Sequence, residues 1–159
     1  EPAVLVIGTG PGSYTGVRIA IAAAQALALS RGWPALGWSS ITTAPLADYH
    51  VIGDARRGMY YLTTVTQRSL GNIEIVDAAT AQTRVESGEE WFSFDAKAPL
   101  SLPQVQLCQP NAVTLASIIT TLSDDEIQAR AAQPLEPIYL QEAFITTAKK
   151  AGKKVPVQG

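Results

Sequence analysis

The chain has 159 residues, 12 basic and 14 acidic side chains, a net charge of −2 and 47% hydrophobic content. That is enough to bury a core, too apolar for wholesale disorder, and without any apolar run long enough to span a membrane. One cysteine, Cys108, excludes an internal disulfide and a thiolate cluster and fits a reducing cytoplasm; one histidine, His50, excludes a paired-histidine metal site.

Val4-Leu5-Val6-Ile7 is apolar and β-branched, the pattern of a strand covered on both faces. No Met stands ahead of it, which raises the expectation that an N-terminal piece is missing. No basic leader is present, so no signal peptide is expected. Gly8 to Gly12 breaks the strand, and a helix is predicted from Thr15 to Ser30, capped by Ser13 or Thr15 and ended by Arg31-Gly32 and Pro34. Ala35-Leu36-Gly37-Trp38 reads as a second short strand. Strand, helix and strand with short links make a βαβ unit and a parallel pair. A shorter helix is expected over Ile41 to Tyr49, weakened by Pro45.

From residue 51 the pattern changes. Val51–Asp54 and Met59–Thr66 are strand-like runs around Arg56-Arg57-Gly58, and Asn72–Val76 alternates after a turn, giving an antiparallel meander. Glu90–Phe94 reads as a further strand, and Pro99 and Pro103 mark a loop. Asn111 caps a helix expected over Ala112–Leu122, with Leu115, Ile118, Ile119 and Leu122 on one side. Asp124-Asp125-Glu126 suits a helix N-terminus. Pro137–Leu140 is a short extended segment. The domain boundary falls near residue 50: 1–50 as one lobe, 51–147 as a second lobe of meander plus helix, and 148–159 as a flexible tail carrying Lys149, Lys150, Lys153 and Lys154. Without those lysines the body is clearly acidic, so it is not expected to hold nucleic acid by itself.

Two features bear on function. The loop Gly8-Thr9-Gly10-Pro11-Gly12-Ser13 feeds a helix N-terminus, a setting that suits an anion. It is not a Walker loop, since the first lysine is Lys97; it is not a dinucleotide fingerprint, since Ser13 stands where the last Gly belongs; it is not a nucleophile elbow, since Pro11 precedes Ser13 by two. Gly10, Gly12, Ser13 and Thr15 are the candidate nucleotide contacts, against the alternative of a tight turn that lets helix and sheet approach. The helix carries only Arg18 and Gln25 as polar residues between Gly16 and Ser30, seven apart and on one narrow stripe. A surface helix of a small domain shows a wide polar face. Arg18, Ile19, Ala22, Ala23, Gln25, Ala26 and Leu29 are therefore the candidate partner interface, against the alternative of a helix buried within its own chain. No nucleophile–base pair or metal-ligand set is apparent. His50 is placed in a loop, and Asp54 with Arg56 or Arg57 in a turn held by a local ion pair.

Gly10-Pro11-Gly12-Ser13-Tyr14-Thr15-Gly16-Val17-Arg18-Ile19, with Pro34–Ser40, Asp54–Tyr60 and Glu136–Leu140 following in order, resembles the TsaB (YeaZ) family. The resemblance implies an α/β, actin-like ASKHA-type (ribonuclease H-like) fold of two lobes. The family's opening strand hairpin, with its Asp-Thr/Ser motif, and the helix after it have no counterpart here, so the first lobe is expected to be incomplete. It implies a non-catalytic, cytoplasmic subunit in the formation of threonylcarbamoyladenosine at tRNA position 37. The partners implied are the catalytic paralogue TsaD, the ATPase TsaE and, in isolation, a second copy. Transfer RNA is reached only through the complex, and no membrane is involved. No intrinsic cofactor is implied, with ATP or ADP at the partner interface left open. The alternative is a nucleotide-binding or ATP-hydrolysing enzyme of the actin-like superfamily.

Overall fold

The computed structural model describes residues 3–140. Two sheets organise it. The first pairs β1 (Leu5–Gly8) in parallel with β2 (Ala35–Trp38), joined by α1 (Tyr14–Arg31). Ser13 takes an extended conformation and its hydroxyl accepts from the Gly16 amide, so it is the N-cap. Gly32 closes the helix in the left-handed region, where a side chain would be disfavoured. Every residue of β1 is only half-buried, which departs from the expected fully covered strand.

The second sheet is mixed, ordered β5–β4–β3–β7–β8 with β6 also on β4. β3 (Tyr49–Arg56) and β4 (Met59–Thr66) form a hairpin from Tyr49↔Val65 to Arg56↔Met59. β5 (Ser69–Leu70) and β6 (Glu74–Asp77) continue the meander. A helix the sequence did not announce, α2 (Ala78–Val85), follows, capped by the Asp77 carboxylate on the Thr80 amide at 2.8 Å. β7 (Trp91–Ser93) and β8 (Val105–Leu107) then add in parallel to β3.

Strand alternation sorts the core. Val51, Ala55, Tyr61, Val65 and Phe92 point to one face, where Ile41 and Ala44 cover them. Ile52, Leu62, Val76 and Trp91 point to the other, under Ala81 and Val85 of α2.

The helix expected over Ile41–Tyr49 does not form. Only a single 3₁₀ turn, Ser40–Thr42, is present, and β3 already begins at Tyr49. The hydroxyls of Thr42 and Thr43 donate to the carbonyls of Ser39 and Ser40 at 2.9 Å. The Arg68 guanidinium holds the next carbonyls, those of Thr42, Ala44 and Pro45. A helix would need those carbonyls for itself.

The chain then returns to its starting unit. α3 (Ala112–Ile119) and α4 (Asp124–Ala131) lie within the stretch assigned from sequence to the second lobe, 51–147. Yet Leu115, Ile118, Ile119 and Ile127 pack on Val4, Val6, Leu36 and Trp38 of the first sheet. Periodicity gives the apolar face of α3 but not its target. Asn111 caps α3 through two amides, and Ser123 with Glu126 forms a capping box on α4. The segment 148–159 lies outside the described residues. Among the described residues no helix is long and apolar enough to cross a membrane.

Candidate functional site

The glycine loop between β1 and α1 is tied into the fold at several points. The Thr9 amide and hydroxyl both donate to the Trp38 carbonyl, at 2.8 and 3.0 Å. The Gly10 carbonyl accepts from the Ser40 amide at 2.9 Å and the Ser39 hydroxyl at 3.1 Å, and the Gly10 amide donates to Ser40 Oγ at 3.3 Å. A φ of 90° at Gly10 explains its residue type. A Cβ on Gly8 would meet Ser40 Oγ at 2.6 Å, so that glycine serves the close approach of the two segments.

Beyond this anchor a cleft of about 900 Å³ opens between the two units. Gly12, Ser13, Tyr14 and Val17 form one wall, and the segment Pro137–Leu140 closes one side. The opposite wall is the β3–β4 hairpin with Asp95 and Lys97. Arg56, Arg57 and Gly58 all have positive φ, at 72°, 57° and 73°. The two-residue turn at Arg57-Gly58 matches the right-handed twist of the strands. Arg56 is held in its unusual conformation by Asp54, which accepts from its amide at 2.7 Å and from its guanidinium at 3.2 Å. This is the local Asp–Arg turn the sequence suggested, and it faces the cleft. Asp95 accepts from the Asp54 amide at 2.7 Å, and its burial pushes its carboxyl above the usual range despite that bond.

Of the four candidate nucleotide contacts, Gly12 and Ser13 line the cleft. The amide and carbonyl of Gly10 are both engaged inside the protein, and Thr15 lies outside the lining. Lys97, Tyr60 and Asp95, which the sequence reading did not single out, join the site only because the second sheet folds up against the loop. No periodicity or spacing could have announced them.

α1 shows a sharper division. Ile21, Ala24 and Ala28 face inward and are buried. Ile19, Ala22, Ala23, Ala26 and Leu29 are all exposed, with Ile19 at 64% and Leu29 at 87%. At about 100° per residue those five fall on the side of the cylinder away from the buried stripe. Gln25 and Arg18 mark one border of that apolar face. Arg18 is also engaged within the chain: its Nε donates to the Tyr139 hydroxyl at 3.0 Å, and its guanidinium lies 4.4 Å from the Tyr14 ring centre. Ile138 fixes the same segment by donating its amide to the Thr9 carbonyl at 2.9 Å.

His50, expected in a loop, sits on β3, where it stacks on Trp91 and meets Glu89 at 3.1 Å. Among the described residues no group of three His, Cys, Asp or Glu side chains could hold a metal ion.

The family model described as TsaD, tRNA N6-adenosine threonylcarbamoyltransferase, matches residues 2–84. The chain is 41% identical over 78 residues to the tRNA threonylcarbamoyladenosine biosynthesis protein TsaB of Bacillus subtilis, covering 45% of this chain and 34% of that protein. It is 30% identical over 146 residues to an uncharacterized protein of Mycobacterium leprae, covering 86% of this chain and 37% of that one. It therefore spans about a third of the length of these relatives. Two solved structures share its fold: YeaZ from Pseudomonas aeruginosa, with a TM-score of 0.57, 21% identity and coverage of 86% of this chain and 74% of that one, and an uncharacterized protein with similarity to YeaZ, with a TM-score of 0.55, 22% identity and coverage of 87% and 73%. The fold is thus a mixed α/β one shared with these structures, as the resemblance implied.

Proposed function

This chain belongs to the family of TsaD, the tRNA N6-adenosine threonylcarbamoyltransferase, and we propose that it serves there as a TsaB-type scaffold subunit in threonylcarbamoyladenosine formation at tRNA position 37. In this reading it carries no catalytic group of its own. It binds a TsaD-type catalytic subunit through the outer face of α1, in a cytoplasmic complex that also engages a TsaE-type ATPase. Transfer RNA meets the assembly rather than this chain.

The observation that carries the reading is the exposed apolar face of α1. Ile19, Ala22, Ala23, Ala26 and Leu29 would stand in water unless another molecule covers them. Alanines allow a second helix to approach closely, while Ile19 and Leu29 supply apolar area to bury. The similarity to TsaB supports the assignment of that partner.

The test is reconstitution with the TsaD-type subunit of the same organism, its accessory proteins, ATP, threonine, bicarbonate and unmodified tRNA. Omitting this chain is expected to abolish modification, and Ala23→Glu to abolish both modification and co-elution with the catalytic subunit. Equal modification without this chain would overturn the scaffold role. Modification by this chain in the absence of the catalytic subunit would show it to be the enzyme.

The cleft favours a second reading, binding of a nucleotide by the chain itself. Gly12, Ser13, Arg56 and Lys97 all line the cleft of about 900 Å³. A Cβ added at Gly12 meets nothing within 4 Å, so Gly12→Val probes the cleft without a clash inside the protein. Micromolar ADP binding by calorimetry that is lost in this variant would favour that reading.

A further inference from the structure

The apolar face of α1 is bordered by one charge whose geometry is already set. Arg18 has the Tyr14 ring centre 4.4 Å away and the Tyr139 ring centre 5.6 Å away, and its Nε donates to the Tyr139 hydroxyl at 3.0 Å. That hydrogen bond to Tyr139 holds the guanidinium above its ordinary pKa, against the smaller opposing effect of desolvation. An exposed arginine normally loses much rotamer freedom when it docks. Here the two rings and the bond at Nε have restricted it beforehand. Its terminal amino groups form the outer edge of a planar fork, the geometry that matches a carboxylate in two parallel hydrogen bonds. Among the described residues no carboxylate is paired with Arg18.

The helix also limits who can supply that carboxylate. α1 runs YTGVRIAIAAAQALALSR and contains no Asp or Glu. A second copy of this helix laid on the face would offer apolar residues and another arginine. It would leave both guanidinium groups beside apolar surface, where an unpaired charge is costly.

We propose that the α1 face receives a helix of a different protein, one that presents a small-residue stripe flanked by an Asp or Glu whose carboxylate pairs with Arg18. The inference rests on the reading of α1 as the partner surface and adds the chemistry of the partner. Arg18 is the specificity determinant that favours the unlike partner over self-pairing. Tyr14 and Tyr139 are its positioning residues.

The experiment measures binding of the full chain to the TsaD-type subunit by calorimetry at several NaCl concentrations, alongside self-association by sedimentation. Arg18→Gln is expected to weaken the unlike complex about tenfold near physiological salt and to flatten its salt dependence, while self-association stays the same or strengthens. Arg18→Lys keeps a charge without the fork and is expected to retain the salt slope with reduced affinity, which keeps the test valid if Arg18→Gln proves unstable. Tyr139→Phe removes the bond to Nε and is expected to weaken binding less than Arg18→Gln. An Arg18→Gln affinity within twofold of the parent, with the same salt slope, would overturn the proposal. So would equal weakening of self-association, which would make a second copy the occupant. These outcomes differ from failure of the scaffold reading, in which Ala23→Glu also leaves the unlike complex intact.

Discussion

Leu29 offers a direct way to separate folding from association on one helix. It is 87% exposed, whereas Ile21 on the same helix is 6% exposed. Leu29→Ala removes an isopropyl group that the chain itself does not cover. At about 0.8 kcal/mol per buried CH₂, covering that group in an interface contributes about 2 kcal/mol, a factor of about 30 in Kd. Its effect on the chain's own stability is expected to stay within about 0.5 kcal/mol, because exposed substitutions away from caps and turns rarely exceed that and alanine favours the helix. Ile21→Ala should do the reverse to folding and cost about 2–5 kcal/mol, since it opens a cavity under the helix. Urea unfolding followed by circular dichroism reads the first quantity, and calorimetry with the TsaD-type subunit reads the second. A stability loss above about 1 kcal/mol in Leu29→Ala would mean that the chain already covers this side chain. A Kd within twofold of the parent would mean that no partner buries it. Either result refutes the assignment of this face.

Tyr49 reports on alkaline stability. Its hydroxyl donates to the Ile41 carbonyl at 2.7 Å, and burial raises its pKa from 10.0 to about 12. A raised acid favours the neutral form in the native state, so its contribution is complete below pH 10 and is lost as pH climbs toward about 12. Tyr49→Phe should cost about 1 kcal/mol at neutral pH and lessen the fall in stability across that alkaline window, as read by denaturant titrations at stepped pH. Gly53 lies under the Tyr61 ring, where an added Cβ would overlap the ring carbons. Gly53→Ala should destabilise by about 1–3 kcal/mol, and an unchanged unfolding midpoint would show that the Tyr61 ring moves aside freely.

Local chemistry was readable where the local signal and the tertiary demand agree. Met59–Thr66 and Ala35–Trp38 are strands with the bounds their patterns suggest. α1 runs one residue beyond its expected span at each end, Asn111 caps α3 as expected, and Asp124-Asp125-Glu126 forms the first turn of α4. The 41–49 segment misled because its threonines satisfy backbone carbonyls that a helix would use, and because Arg68, far along the chain, holds the rest. α2 was missed because AATAQTRV is short and mostly small or polar, and only Ala81 and Val85 are buried. β8 was hidden between prolines, with Val105 its one buried residue. The cleft was half-legible. Its glycine wall is contiguous in sequence, while Tyr60, Asp95, Lys97 and Tyr139 come from separate stretches. Local pattern contains no term for that convergence.

The glycines of the loop divide by what each one does. Gly8 is required by the approach of Ser40, and Gly10 by its positive φ and by its bonds to the Ser39–Ser40 segment. These two shape the crossing from β1 to α1 whether or not any ligand exists, so they argue for close packing rather than for phosphate. Gly12 is different. It has no positive φ to require glycine, and a Cβ there would meet nothing within 4 Å. Intrachain packing therefore leaves Gly12 unexplained, just as it leaves Ile19 and Leu29 unexplained on the helix that follows. Both lie on surfaces this chain does not fill, Gly12 on the cleft and the helix residues on the outer face. Ser13, Tyr14 and Val17 line the cleft as part of the same segment that leads into the apolar face. The cleft wall and the exposed apolar face of α1 therefore belong to one continuous stretch of chain, which begins at Gly12 and runs through Leu29.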